Sequence, residues 1–313
     1  MTYLPLPNDV LKAAERIHDW IEKTPVFTSK SLNDLSGAEL YFKCENLQKT
    51  GSFKFRGASN ALQMLSEEGL PKAVATHSSG NHGAALAKAA LERGVKAQIV
   101  MPSNAPEVKQ NAVKAYGGII TICEPNLDAR ESTLKKVLEH EEAEEVPPYN
   151  DIRIIAGQGT AVIELCQEIP DLDFVVTPVG GGGLLSGTAL GIQIKWPEIH
   201  VIGAEPLNVD DAKRSLEAGK LIPATRTDTI ADGLRTSLGS LTFPLIQKYV
   251  ETILTATEKQ ILTATRLSWE RLKMVVEPSG ALPLAVILNH SDFFKGKRVG
   301  IITSGGNFSP ALE

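Results

Sequence analysis

The stretch Asp173–Ile194, DFVVTPVGGGGLLSGTALGIQI, is the most informative part of the chain about its architecture. An apolar run leads into four consecutive glycines, and a second apolar run follows them. The apolar part contains no charged residue, but its glycines and its proline are unsuited to a helix that spans a membrane. We therefore predict a buried strand, a glycine turn and a buried helix.

The same order of strand, turn and helix recurs on both sides of this stretch. We predict further strands in the segments KAVATH, KAQIVMP, GIITICE, HVIGAE and RVGIITS, with a helix after most of them. Such alternation is typical of an α/β fold, in which helices cover parallel sheets and ligands bind at the carboxyl ends of the strands. The acidic run His140–Asp151 interrupts the alternation, so we predict that it crosses between two lobes. Asn8 is predicted to cap the first helix.

Composition limits the possible partners and the cellular location. The chain has 313 residues, of which 42% are hydrophobic and 22% charged, and a formal net charge of −5. This charge argues against general binding to nucleic acid or to anionic membranes. The three cysteines, Cys44, Cys123 and Cys166, lie far apart and are predicted to be reduced packing residues. The amino terminus has no signal-peptide pattern, so we expect a cytoplasmic protein.

The glycine run, Gly180, Gly181, Gly182 and Gly183, is predicted to bind a phosphate. Glycines let backbone N–H groups approach an anion, and the helix that follows adds a favourable dipole. A tight turn without a ligand is the alternative, but four glycines carry a large entropic cost. A dinucleotide site is disfavoured because the pattern G-x-G-x-x-G ends on Leu185 or Ser186 instead of glycine.

Two further loops carry polar side chains at strand ends. The loop THSSGNHG presents two hydroxyls, an amide and an imidazole, from Ser78, Ser79, Asn81 and His82. Serine and asparagine also cap helices, but four polar groups around one glycine exceed what a cap requires. Ser304, in TSGGN, either faces a bound ring or only ends the last strand.

The segment EPLNVDD is acidic. Glu205, Asp210 and Asp211 are oxygen ligands suited to Mg²⁺, Mn²⁺ or Ca²⁺. The two aspartates would serve equally well in the first turn of the next helix. The sequence leaves these two readings open.

The segment KTGSFKFRGA, Lys49–Ala58, places Lys54 between Phe53 and Phe55. Desolvation beside phenylalanine lowers the pKa of a lysine toward the neutral amine that forms Schiff bases. A phosphate site, a hydroxyl loop and such a lysine together fit pyridoxal phosphate. Lys49 and Arg56, in contrast, are interpreted as ordinary charges beside a helix start.

Five motifs, KTGSFKFRGA, HSSGNHG, PVGGGGLLSG, EPLNVDD and TSGGN, occur in this order along nearly the whole chain. Together they resemble the fold-type II pyridoxal-phosphate enzymes, and among these the serine racemases, the serine/threonine dehydratases and the threo-3-hydroxyaspartate dehydratases. The resemblance implies a fold like that of the tryptophan synthase β subunit, with two lobes, each a mostly parallel twisted sheet flanked by helices. It implies a large cofactor-binding domain of residues 1–72 plus 150–313, a small mobile domain of residues 73–149, and a homodimer.

The resemblance also implies roles for individual residues. Lys54 would hold pyridoxal phosphate covalently and would act with Ser79 as an acid or base on the two faces of the substrate. The remaining cofactor contacts would be Phe53 beside the ring, Asn81 at the phenolic oxygen, Gly180 to Gly183 at the phosphate and Ser304 at the pyridine nitrogen. Substrate contacts would come from Ser78, Ser79, Asn81, His82, Arg130 and Thr236. A divalent cation would be bound by Glu205, Asp211 and the backbone carbonyl of Val209.

By this resemblance the protein is a dehydratase that eliminates water from L-serine, L-threonine or threo-3-hydroxyaspartate, with serine racemase activity. A predominant serine or aspartate-type racemase is the first alternative. A β-replacing enzyme of the cysteine synthase kind and a nonenzymatic cofactor-binding protein are less favoured. The chain ends soon after TSGGN, so the resemblance is to the short, catabolic dehydratases without a regulatory domain.

Overall fold

The computed structural model describes residues 4–308, and these residues form two separate sheets. The six-stranded sheet has the order β1-β2-β10-β7-β8-β9 and is parallel except for β1. Its strands are β1 Val26–Phe27, β2 Glu39–Cys44, β7 Phe174–Pro178, β8 His200–Pro206, β9 Thr252–Ala256 and β10 Arg298–Thr303. The four-stranded sheet is entirely parallel, with the order β5-β4-β3-β6. Its strands are β3 Ala73–His77, β4 Lys96–Pro102, β5 Ile119–Cys123 and β6 Ala143–Glu145.

Thirteen α-helices within the described residues cover these sheets. They are α1 Pro7–Ile17, α2 Lys30–Ser36, α3 Lys54–Glu68, α4 Asn81–Glu92, α5 Glu107–Ala115, α6 Leu127–Glu141, α7 Ile152–Glu168, α8 Gly183–Ile192, α9 Asp211–Ala218, α10 Thr242–Tyr249, α11 Glu258–Leu267, α12 Pro278–Asn289 and α13 Ser291–Phe294. The α/β prediction with two sheets is therefore confirmed. No helix among residues 4–308 is long and apolar enough to cross a membrane.

Some local predictions were wrong. Helix α1 begins at Pro7, so Asn8 lies inside its first turn and does not cap it. Proline is favoured at this first helical position because its missing N–H would have had no helical partner. The run His140–Asp151 is more than a crossing, because β6 lies within it and pairs in parallel with β3.

Glycines bring three helices unusually close together and thereby set the geometry of the site. A Cβ on Gly157 of α7 would lie 2.7 Å from the Cα of Gly57 in α3. A Cβ on Gly159 of α7 would lie 2.4 Å from the carbonyl oxygen of Gly187 in α8. Real Cβ atoms do not approach other atoms so closely, so these crossings require glycine. Helix α7 therefore ties the start of α3, at Lys54, to the start of α8, at the glycine run.

Candidate active site

Lys54 is the first residue of α3, and its amine lies in a confined polar position. The Nζ atom donates a 2.7 Å hydrogen bond to the carbonyl oxygen of Pro148 and lies 5.1 Å from the centre of the Phe53 ring. Burial lowers the pKa of Lys54 to about 8, although the nearby Glu277 carboxylate raises it. The predicted downward shift of the lysine pKa is confirmed. Near neutral pH, a useful fraction of this amine is therefore unprotonated and nucleophilic.

The backbone before Lys54 is held by the loop that follows β10. The N–H of Phe53 donates to the carbonyl of Ser304 at 3.0 Å, and Ser52 forms an antiparallel bridge with Gly305. Ser304 is only 3% exposed. The first and last motifs of the chain therefore meet, and Ser304 lies beside the segment that carries the lysine.

Arg56 was wrongly interpreted as an ordinary charge. Its side chain is 0% exposed, and its guanidinium donates to Glu45 at 2.7 and 2.8 Å and to Glu164 at 2.7 and 2.9 Å. Lys43 also donates to Glu164, at 2.5 Å. These four residues, the buried ion cluster, balance two positive and two negative charges. Through Arg56 and Glu164, the buried ion cluster joins the first turn of α3, which begins at Lys54, to α7.

The glycine run forms the turn between β7 and α8. Gly182 has φ 87°, a left-handed conformation that favours glycine, and α8 begins at Gly183. Gly181 packs against Tyr149 so closely that a Cβ would lie 2.3 Å from the Tyr149 ring. The Gly181 carbonyl accepts a 2.8 Å hydrogen bond from the Thr242 hydroxyl. Because the first N–H groups of a helix have no partner within it, the start of α8 offers donors for a phosphate.

Thr236 lies next to the same turn. Its Oγ1 atom would be 3.1 Å from a Cβ placed on Gly180. A residue with a side chain at position 180 would therefore crowd Thr236, and glycine leaves the backbone accessible. Sequence reasoning did not identify Tyr149 or Thr242, and both are set against the glycines by distant parts of the chain.

The serine loop connects β3 to α4. Asn81 begins α4, and its Nδ2 donates to Glu277 at 2.8 Å while its Oδ1 accepts from Asn307 at 3.0 Å. His82 is 2% exposed, and its Nε2 lies 2.9 Å from the Val146 carbonyl oxygen. Burial, and then the charge of Lys54, lower the pKa of His82 to about 3. His82 is therefore neutral, and one of its nitrogens is already used by the backbone.

Glu277 is a site residue that sequence reasoning missed. It precedes α12 and is 3% exposed, and burial, with a contribution from Asp232, raises its pKa to about 7. Its Oε2 atom is buried without a hydrogen-bond partner. The only sequence signal was an acid directly before Pro278, which begins α12, and this signal gave no indication of burial.

The acidic segment brings two of its three acids together. Glu205 is the penultimate residue of β8, and its two oxygens accept from the backbone N–H groups of Ala212 and Lys213 at 2.7 and 2.9 Å. Both side-chain oxygens of Asp211 are buried and accept no hydrogen bond of normal geometry, although the backbone N–H of Leu238 lies close to this carboxylate. Burial raises the pKa of Glu205 to about 8 and that of Asp211 to about 6.

Asp210, in contrast, is paired with Arg214 on the same helix, at 2.8 Å. Within residues 4–308 there is no cluster of three or more histidine, cysteine, aspartate or glutamate side chains suited to a metal. Burial raises the pKa of Glu205 and of Asp211 because it disfavours their charged carboxylates. A cation bound to this segment would neutralise these two charges.

Arg130 lies near the carboxyl end of β3, at the base of the serine loop. Its charge contributes to the lowered pKa of His77, after burial, and its Nε atom is buried without a partner. This places Arg130 close to the edge of the sheet from which Ser78 and Ser79 project.

The residues around Lys54 fit pyridoxal phosphate. A buried amine of lowered pKa can hold its aldehyde, and the glycine turn can hold its phosphate. The buried Ser304 adjoins the Lys54 segment, the amide of Asn81 is linked to Thr50 of the same segment through Asn307, and both side chains suit the polar atoms of the cofactor ring.

Comparisons with known proteins agree with this fit. The family model described as "Pyridoxal-phosphate dependent enzyme" matches residues 17–305. A beta-hydroxyaspartate dehydratase of Paracoccus denitrificans is 48% identical over 305 residues, which cover 97% of this chain and 97% of the relative. A serine racemase of Dictyostelium discoideum is 50% identical over 306 residues, with 96% and 94% covered.

Solved structures agree as well. A crystal structure of the Dictyostelium discoideum serine racemase has a TM-score of 0.92 and 49% sequence identity, and the match covers 98% of this chain and 99% of that one. A crystal structure of the T.th. threonine deaminase has a TM-score of 0.93 and 42% identity, with 98% and 100% covered. The chain therefore belongs to the pyridoxal-phosphate dependent enzymes, in their fold-type II branch.

Proposed function

We propose that the protein eliminates water from a β-hydroxy amino acid to give a keto acid and ammonia, and that it also racemises serine. The substrates proposed are L-serine, L-threonine and threo-3-hydroxyaspartate. The observation that carries the proposal is the buried Lys54 amine, with its pKa near 8, beside a glycine turn that opens a helix. The similarity to a beta-hydroxyaspartate dehydratase and to serine racemases supports the choice of substrates.

Lys54 would hold the cofactor and, once the substrate amine has replaced it, would take the proton from Cα. When bound, pyridoxal phosphate supplies the electron withdrawal that makes this proton acidic. The pKa of Lys54, about 8, suits this role, because a general base works best with a pKa near the operating pH. The β-hydroxyl would leave with the proton that Lys54 has taken, as water, and the resulting enamine would tautomerise and take up water to give the keto acid and ammonia.

Ser79 would return a proton from the opposite face, which would give the D-amino acid. Ser78 and Ser79 lie in the loop just before Asn81, which donates to Glu277, and the charge of Glu277 acts on Lys54. Ser304 would face the pyridine nitrogen, and Phe53 would lie beside the ring. Two acid/base groups on two faces allow both racemisation and elimination.

We also propose a divalent cation at Glu205, Asp211 and the carbonyl of Val209. The two buried oxygens of Asp211, which accept no hydrogen bond of normal geometry, support this site, since a poorly paired buried carboxylate is costly. Burial raises the pKa values of both acids, and of Glu205 even though two backbone N–H groups donate to it. Burial, and then the charge of Asp211, raise the pKa of Tyr149, so the proposed cation site lies near the residue that packs against Gly181.

Residues 73–149 are proposed as a small domain that closes over the substrate, against a large domain of residues 1–72 plus 150–313. The four-stranded sheet, which runs from Ala73 to Glu145, supports this division. Two contacts link the proposed small domain to the large domain: the ion pair of Lys109 with Asp232, and the hydrogen bond from Asn81 to Glu277. Such contacts would form when the small domain closes. A cytoplasmic homodimer is proposed from the resemblance to the family.

Absorbance spectroscopy after reconstitution tests the cofactor assignment. Wild-type protein should show the absorption band of lysine-bound pyridoxal phosphate, and Lys54→Ala should abolish it. Lys49→Ala is the matched control, because Lys49 donates to the Trp20 carbonyl outside the pocket and should leave the band intact. A fully reconstituted wild type without a band would reject the proposed function.

Product assays then test the reaction. L-serine, L-threonine and threo-3-hydroxyaspartate should each be incubated with the enzyme, and both keto acid and D-isomer measured. Ser79→Ala should reduce racemisation of L-serine more than its elimination. Equal loss of both activities would contradict the assignment of Ser79 to the second face.

A further inference from the structure

The amide of Asn81 is held between two side chains from the carboxyl-terminal part of the chain. Asn307 Nδ2 donates to the Asn81 Oδ1 at 3.0 Å, and Asn81 Nδ2 donates to the Glu277 Oε1 at 2.8 Å. Asn307 Nδ2 also donates to the Thr50 carbonyl at 2.8 Å. These three contacts form a chain, which we call the amide relay.

The chemistry of the amide relay allows only one orientation of each amide. The Thr50 carbonyl can only accept, so the nitrogen of Asn307 must face it. The second N–H of that nitrogen then requires an acceptor, so the oxygen of Asn81 faces Asn307. The nitrogen of Asn81 consequently faces Glu277, and one of its two N–H groups remains for another partner.

The backbone around the relay is built to hold this arrangement. Thr50 has φ 63°, which is unusual and costly for a β-branched residue, and this turn directs its carbonyl to Asn307. A Cβ on Gly51 would lie 2.4 Å from Oδ1 of Asn307, and one on Gly305 would lie 2.4 Å from Oε1 of Glu277. Both relay partners therefore occupy space that only glycine leaves free.

We propose that Asn307 and Glu277 are positioning residues that orient the Asn81 amide so that its second N–H donates to the phenolic oxygen of pyridoxal phosphate. This rests on the proposed function, in which Asn81 lies at that oxygen. Without the relay, the amide could turn and present its own oxygen to the phenolic oxygen, and two acceptors would then face each other. A donor at this oxygen stabilises its deprotonated form.

Asn307→Asp tests the proposal, because aspartate has the same shape and can only accept when ionised. It would repel the Thr50 carbonyl and favour the opposite orientation of the Asn81 amide. We expect the ratio of the visible to the near-ultraviolet cofactor band to fall by about tenfold or more, as expected for a lost hydrogen bond replaced by a repulsive contact. Asn307→Ala, which removes the constraint without repulsion, should give a smaller fall.

Two controls separate orientation from general damage. Cofactor content, measured after alkaline release, and Tm should be determined for each variant, and band ratios compared at equal occupancy. Asn8→Asp makes the same chemical change at an exposed position in α1 and should leave the ratio unchanged. If Asn307→Asp fails to fold, Asn307→Ala alone decides the question.

The outcomes separate the positioning role from the proposed function. An unchanged band ratio in both Asn307 variants at full occupancy would overturn the positioning role and leave the proposed function intact. A wild type that binds no pyridoxal phosphate would reject the proposed function, and the positioning role with it.

Discussion

Replacement of Arg56 by methionine tests whether the buried ion cluster stabilises the base of the active site. Methionine fills part of the same volume, but the net charge of the cluster changes from zero to −1. Glu164 keeps its 2.5 Å bond to Lys43, whereas Glu45 keeps only the hydroxyl of Thr24 at 2.6 Å. The free-energy cost therefore comes mainly from Glu45, which is 0% exposed.

Breaking a buried ion pair by removal of one partner costs about 3–5 kcal/mol. For a chain of 313 residues, an unfolding entropy of about 2.1 cal/mol/K per residue converts this into a fall in Tm of roughly 5–8 °C. Thermal unfolding of the cofactor-free wild type and of Arg56→Met measures this fall in Tm. Arg226→Met is the matched control, because Arg226 pairs with Asp228 at the surface, where solvent screens the pair, and its loss should lower Tm far less than the loss of Arg56.

The double variant Arg56→Met/Glu45→Gln identifies the cause. It restores a net charge of zero to the cluster, so it should recover part of the lost stability. A double variant that is as unstable as Arg56→Met, or less stable, would refute the reasoning, because the cost would then come from packing and not from an unpaired carboxylate.

The pKa shifts and the close contacts lead to three further predictions. Because the folded pKa of Lys54 is lowered from 10.5 to about 8, its burial destabilises the cofactor-free protein below pH 8, and the penalty should diminish between these two values. Lys54→Met should therefore raise the Tm of the cofactor-free protein at pH 7 but hardly at pH 10.5; an equal effect at both pH values would contradict this shift. The raised pKa values of Glu205 and Asp211 predict that, without a cation, stability falls as pH rises from their usual range toward 8. Mg²⁺ should then raise Tm more at pH 8 than at pH 5, with the effect abolished in Asp211→Asn, and a Tm that is indifferent to EDTA and Mg²⁺ would count against the site. Gly181→Ala would place a methyl group 2.3 Å from the ring of Tyr149, so it should destabilise the protein by about 1–3 kcal/mol, and Tyr149→Ala should partly rescue it; no rescue would place the strain elsewhere.

The local sequence pattern was sufficient to predict much of the fold and to identify Lys54 as the central residue of the site. The alternation of apolar runs and glycine turns predicted most strands of both sheets, because a buried strand and the turn after it are formed by residues that are adjacent in the sequence. The flanking phenylalanines pointed to Lys54, whose pKa is indeed lowered. Three strands, β1, β6 and β9, were not predicted, and β1 and β6 are only two and three residues long.

Contiguous motifs were enough to predict the fold class, the family, and the positions of the lysine, the serine loop and the glycine turn. Which charges are buried, and what they contact, became visible only in three dimensions. Arg56 meets Glu164, 108 residues away, and Asn81 meets Glu277, 196 residues away. Burial and hydrogen bonding depend on how distant segments pack, so residues such as Arg56 and Glu277 have the same appearance in the sequence as surface charges.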